Sequence, residues 1–215
     1  MKRSTLFVIA LLVLLGLFAL GAVVYQRGDA GAEAAARNQI LLGRLHAPTI
    51  GAPDARVHIV EFLDPACETC RAFYPFVKNI LAANAGKVKL SVRHAALHPG
   101  SEEVVRILEA AKLQDKYWPT LEALFASQDR WTVNHRVHAE RAWPYLQGVG
   151  LDMERLKKDM TSPEVAQNLA QDTADAKALG VKMTPEYFVN GHPLTEFGDK
   201  QLLRLVQQER EKAYP

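Results

Sequence analysis

The chain of 215 residues holds two cysteines, Cys67 and Cys70, spaced Cys-x-x-Cys. Two thiols at this spacing can exchange disulfides: one thiolate attacks a disulfide sulfur, and the second thiol resolves the mixed disulfide. The flanking pattern assigns the roles. Cys67 opens a helical stretch, where unpaired N–H groups and the macrodipole favour negative charge, so its thiolate forms below the free-cysteine pKa of ~8.5. Cys70 lies one turn further in and is the resolving thiol. Glu68 beside the nucleophile repels the thiolate, and Arg71 favours it. A permanent disulfide closing a two-residue loop removes little chain entropy and stabilises poorly. Zinc is a second alternative, because His94 and His98 complete a Cys-x2-Cys-x23-His-x3-His pattern. That gap is longer than usual, and both histidines follow a strand instead of lying on a helix that faces the thiols. A soft thiolate pair also suits Cu(I), so a thiolate-based metal-binding or metal-tolerance protein is the alternative function from another class.

The motif must be positioned by a strand on one side and a helix on the other. The run Val57-His58-Ile59-Val60-Glu61-Phe62-Leu63 is β-branched and aromatic, and ends at Asp64-Pro65. The helix that follows carries Phe73, Phe76, Val77 and Ile80 on one side and ends near 84–86. Val88, Leu90 and Val92 alternate with polar residues, which predicts a second strand parallel to the first. From 101 to 180 helix signals dominate and no strand is expected. Ser101 is a candidate cap, Pro119 suits a first turn, and Ser162-Pro163 opens a helix that Gly180 closes. Two short strands, 186–189 and 192–194, flank the hairpin signal Asn190-Gly191, and a last helix spans 199–212.

Composition is ordinary for a globular chain, with 48% hydrophobic and 23% charged residues. A formal net charge of +2, with both signs interspersed, offers no nucleic-acid footprint. Met1-Lys2-Arg3 precedes an uncharged apolar run at 6–25. At 1.5 Å per residue this run matches a hydrocarbon core of ~30 Å. The basic start belongs on the cytoplasmic side, so the remainder is exported into a compartment that permits disulfides. The expected organisation is an inner-membrane anchor at 1–25, a stalk at 26–53 with a helix near 32–42, and one folded domain at 54–215. The alternative at the start is a signal peptide cleaved near Ala19-Leu20-Gly21, which leaves a soluble periplasmic protein.

These features together resemble the DsbA-like branch of the thioredoxin superfamily, over about 54–212. Glu61, six residues before Cys67, matches the buried acid that assists proton transfer around the resolving cysteine. Pro75, five residues after Cys70, matches a helix-kinking proline. Thr184-Pro185 resembles the cis-proline loop that faces the redox pair. By that resemblance, Thr184 pairs with substrate backbone and Pro185 blocks metal capture. The stretch from His98-Pro99 through Tyr117-Trp118 to Leu124-Phe125 is similar to the family's helical insert, at about 100–180. The resemblance implies an α/β thioredoxin-like fold with an inserted helical block, preceded by a transmembrane helix. The expected site is Cys67, Cys70, Glu61, Thr184 and Pro185, with no metal or organic cofactor. Expected partners are thiols and disulfides of exported proteins and a membrane redox partner, DsbB-like or DsbD-like. Strongly oxidising members carry Pro-His between the cysteines, whereas Glu68-Thr69 stands here. Thr184 before the proline is closer to reductases and isomerases. The direction of exchange therefore stays open at this level.

Overall fold

The computed structural model describes the backbone of residues 3–215 and the side chains of residues 11–21 and 30–215. Helix α1 (Arg3–Leu42) leads into strand β1 (Thr49–Gly51), and β2 (Val57–Leu63) follows. Because β2 is apolar on both faces it takes the centre of the sheet. Val57, Ile59 and Leu63 enter one core, and Val60 and Phe62 a second. Helix α2 (Glu68–Ala83) connects β2 to β3 (Val88–His94), which lies parallel to β2 with Val57 opposite Val88 and Leu63 opposite His94.

The insert comprises α3 (Ser101–Lys112), α4 (Tyr117–Ala126), α5 (Gln128–Trp131), a small hairpin of β4 (Thr132–Val133) and β5 (Arg136–Val137), two 3-10 segments, α6 (Met153–Asp159) and α7 (Pro163–Leu179). The chain then returns to the sheet as β6 (Glu186–Val189) and β7 (His192–Pro193), and closes with α8 (Asp199–Ala213). Among the described residues the main sheet has five strands in the order β1-β3-β2-β6-β7, with β6 antiparallel to β2. Val77 and Ile80 of α2 and Leu202 and Val206 of α8 cover one face. Leu42 of α1 and Ala176 of α7 cover the other.

The end of α1 is part of this domain. Asn38 Nδ2 donates to Gly191 O at 2.9 Å, and Gln39 Nε2 donates to Asn190 O at 2.8 Å. Asn190 and Gly191 form the β6–β7 turn with φ of 48° and 85°. A Cβ at Gly191 would collide with the backbone of Ala35, so glycine here serves both the turn and the seating of the helix. Just beyond, Arg93 is fully buried and bonds Asp172 Oδ1 and Asp175 Oδ2, each at 2.6 Å, while Nη1 donates to Leu41 O at 2.9 Å. Arg44 grips Asp175 through two 2.8 Å bonds, and His46 lies 2.7 Å from Asp172. One buried cluster thus ties the end of α1, β3 and α7 together.

Several expectations are revised. The segment 26–53, expected as a stalk with a helix near 32–42, has that helix as the end of α1, which runs without interruption to Leu42, and it also contributes β1, antiparallel to β3. The insert was expected to lack strands, but β4 and β5 pair around Asn134-His135. Those strands are only two residues each, too short to leave an alternating pattern. Ser101 does not cap α3: Gly100 occupies that position in a left-handed conformation, and the Ser101 hydroxyl instead bonds Asp64. Part of the apolar run at 6–25 has side chains outside the described residues. Among the described residues no helix is long and apolar enough to cross a membrane.

The Arg93 cluster generates a stability prediction. Arg93→Met leaves Asp172 and Asp175 buried without their shared cation, a change that costs about 3–5 kcal/mol. Denaturant unfolding of the variant should show a loss of that order; a loss below about 1 kcal/mol would mean that Arg44 and His46 suffice.

Candidate redox site

The site is built on the turn between β2 and α2. Residues 64–67 are all buried, so each backbone polar group of the turn requires a partner. Asp64 Oδ1 accepts the Ala66 N–H at 2.9 Å, and Asp64 O accepts the Cys67 N–H at 3.0 Å. The other carboxylate oxygen of Asp64 accepts the N–H groups of Leu97 and His98, at 2.8 and 2.9 Å, and His98 Nδ1 lies 2.8 Å away. One buried carboxylate thus fastens the redox turn to the loop after β3.

Cys67 becomes the N-cap of α2, with φ −74° and ψ 118°, and its sulfur accepts the Cys70 N–H at 3.4 Å. This is the usual role of a serine or aspartate at a helix start, and a sulfur there is stabilised as an anion. As a thiol, Cys67 Sγ donates to the Thr184 carbonyl at 3.2 Å. The Thr184–Pro185 peptide is cis. The pair expected from sequence, Cys67 with the Thr184-Pro185 loop, is therefore brought together.

The two thiols are driven apart in acidity. A hydrogen bond from the Cys70 thiol, aided by the Thr184 side chain and the N–H groups of Cys70 and Thr69, outweighs burial and lowers Cys67 to about 5. Burial pushes the Cys70 thiol up, well above its ordinary range, and its bond to Cys67 and the charge of Glu61 add to this.

Glu61 is fully buried on the face of β2 that points into the first core, directly opposite Tyr187 of β6. Neither of its oxygens, nor the Tyr187 hydroxyl, has a hydrogen-bond partner among the described residues. Burial raises the Glu61 carboxyl to about 8, and the nearby Cys67 charge acts in the same direction.

Other expectations resolve differently. Arg71 is paired with Asp129 at 2.8 Å, so its charge is partly spent away from the thiolate. Pro75 lies inside α2 as expected. His94 and His98 are not assembled with the cysteines: His98 is held by Asp64, and His94 sits among Tyr117, Glu109 and Asp172. Among the described residues no cluster of three His, Cys, Asp or Glu side chains is arranged for a metal.

Sequence reading missed Asp64, Tyr187 and Gln128. Asp64 adjoins the motif but reads as the polar end of a strand. Tyr187 becomes visible only once its register opposite Glu61 is known. Gln128 lies 61 residues from Cys67, and nothing local points to it.

A mixed sheet flanked by helices, with a Cys-x-x-Cys pair at a helix start facing a cis-proline, defines the class of thioredoxin-fold dithiol proteins. The chain belongs to the thioredoxin family: the family model described as Thioredoxin matches residues 45–208. It is similar to the crystal structure of a thioredoxin-like oxidoreductase from Silicibacter pomeroyi DSS-3, with TM-score 0.70 and 30% identity, covering 81% of this chain and 97% of that one. A probable disulfide bond formation protein D from Bacillus cereus is 26% identical over 201 residues, 89% of this chain and 88% of the relative. The Na(+)/H(+) antiporter NhaA of Herminiimonas arsenicoxydans is 33% identical over 156 residues, 73% of this chain but 24% of the antiporter. The chain thus spans less than a quarter of the length of the antiporters it matches.

The opposed shifts give opposite pH dependences. In the unfolded chain Glu61 ionises near its ordinary 4.5, but the folded protein keeps this proton to about 8. Its contribution is therefore present at low pH and is lost as pH rises through that window. Cys67, lowered from 9.0 to about 5, stabilises the reduced form above the unfolded value and loses this effect as pH falls through 5. The oxidised protein has no thiolate, so its melting temperature should fall as pH rises from 5 to 8. Glu61→Gln should flatten that slope and melt higher than wild type at pH 8. An unchanged slope would remove Glu61 as its source.

Proposed function

We infer that this protein is an extracytoplasmic thiol–disulfide oxidoreductase that exchanges disulfides with exported polypeptides through Cys67, with Cys70 resolving. One observation carries the reading: the Cys67 sulfur is the N-cap of α2, accepts the Cys70 N–H and lies 3.2 Å from the Thr184 carbonyl. The rim supports a polypeptide substrate. Met183 beside the cis-proline loop, Leu97 beside Asp64, and Phe197, tilted against Phe73 with ring centroids 4.7 Å apart, are large exposed apolar residues. Such a surface suits extended chains that have not yet buried their own side chains.

The acidities favour oxidation of the client. A client thiolate attacks Cys67 in the Cys67–Cys70 disulfide; that S–S bond breaks, and Cys70 leaves as a thiolate. Glu61, protonated at neutral pH, supplies a proton to Cys70, whose raised pKa makes it the better base. The client's second thiolate then attacks the client sulfur of the mixed disulfide, and Cys67 departs. A thiol of low pKa is a good leaving group and stabilises the reduced protein, which makes the oxidised protein an oxidant. Two electrons pass from client to protein. A membrane redox partner, DsbB-like in this direction, removes them; a DsbD-like partner belongs to the reverse direction.

Lys2 and Arg3 ahead of the apolar run at 6–25 support a reading in which the domain is exported and tethered to the inner membrane on its periplasmic side. The docked end of α1 extends this picture. Ala35 meets the Asn190-Gly191 turn, whereas Leu41 reaches Arg93 near the opposite end of the sheet.

A Cys67 value of about 5 lies between those of thioredoxin, about 7, and DsbA, about 3.5. The reduction potential should accordingly fall between about −270 and −120 mV. Cys70→Ala should trap mixed disulfides with exported proteins. A protein that traps nothing, does not oxidise a reduced peptide and instead retains stoichiometric Cu(I) or zinc would establish the metal-binding reading.

A further inference from the structure

Gln128 is 1% exposed and lies in α5, within the insert, far in sequence from the redox motif. Its Nε2 donates to Pro65 O at 2.8 Å and to Cys67 O at 3.1 Å. These carbonyls belong to the turn whose N–H groups Asp64 already holds. The Cys67 carbonyl also accepts the first helical bond of α2, from Arg71 N at 3.2 Å. Its direction is therefore tied to the direction of the helix start. The next residue, Asp129, pairs with Arg71 on the outer side of the same turn at 2.8 Å. Two consecutive residues of the insert thus hold the first turn of α2 from inside and outside.

We propose that Gln128 is a positioning residue for thiol–disulfide exchange, holding the Pro65 and Cys67 carbonyls so that the Cys67 sulfur stays aligned with the N–H groups at the start of α2. The argument rests on the accounting of buried polar groups. A buried amide is retained at this position although Oε1 has no partner among the described residues, a cost that an apolar side chain would avoid. Both of its N–H groups are spent on the redox turn. Without them, two buried carbonyls lose donors, and the turn relaxes by rotating peptide planes that also carry the Cys67 side chain. The consequence falls on the thiolate, because only the charged sulfur depends strongly on donor alignment. The insert then has a role beyond its own core: it stiffens the electrostatic environment of the nucleophile.

This inference rests on Cys67 being the exchanging thiolate, and its test is separable from that reading. In Gln128→Met the shape is kept and both donors are lost. Titration of thiolate absorbance should show the Cys67 transition displaced upward by about one pH unit. The equilibrium with glutathione should shift about tenfold toward the oxidised protein, equivalent to ~30 mV for a two-electron couple. The reduced form should lose more thermal stability than the oxidised form. A purely structural role predicts equal losses in both redox states with the titration and the glutathione equilibrium unmoved, and that result would overturn the proposal. If Gln128→Met does not fold, Gln128→Asn, which keeps a neutral amide but withdraws its donors by one methylene, carries the same measurements: a smaller upward displacement supports the role and none refutes it. Wild-type protein with no thiolate transition below the free-cysteine range would instead defeat the exchange reading itself.

Discussion

Acceptance of the Cys70 N–H by the Cys67 sulfur is the interaction around which this molecule is arranged. A helix begins with N–H groups that lack partners, and most proteins supply an oxygen to them. Here the supplier is a sulfur, so the energy of capping a helix becomes energy for holding a thiolate. Everything near it has to keep that sulfur at the cap. Asp64 fastens the turn to the loop after β3, and Gln128 meets its carbonyls from the insert. The Thr184 carbonyl closes the site from across the sheet.

The same few residues contain a group made more acidic and two made less so. Cys67 lies at the rim, where donors converge, whereas Cys70 and Glu61 lie deeper, where burial penalises charge. The energetic gradient runs from surface to core over a single helical turn. In the exchange proposed above, the outer sulfur is the leaving anion and the inner one takes the proton. Proton and electron movements are thereby separated in space without a cofactor being invoked.

The second constraint is the ionic cluster beneath the sheet. Arg93 on β3 satisfies two aspartates of α7 and a carbonyl of α1 at once. Desolvating three charged groups is costly, and it is offset only because all three find partners of good geometry. Such a cluster tolerates little displacement, so α1 is seated on the domain in one defined way. The helix meets the fold through the Asn190-Gly191 turn at Asn38 and through Arg93 at Leu41.

The central elements were legible in the sequence because local patterns report them. Apolar character on both faces of 57–63 marks a buried strand, and Asn190-Gly191 marks a tight hairpin whatever surrounds it. Cys67 and Cys70 were readable from spacing alone, and Glu61, Pro75 and Thr184-Pro185 from resemblance to a family. Arrangement across the chain was not legible. Ser101 looks like a cap, but a buried aspartate competes for its hydroxyl and a left-handed glycine takes the cap. The segment 26–53 looks like a spacer because few apolar residues, Ala35 and Leu42 among them, dock it and the rest is done by polar Asn38, Gln39 and Arg44, which leaves no apolar period. Gln128 bears no local signal, since its partners are backbone carbonyls that any sequence would present. The sequence by itself determined which sulfur begins the helix and which follows one turn later. Tertiary structure alone decided how acidic each becomes, because acidity depends on burial and on donors that distant segments bring to the same place.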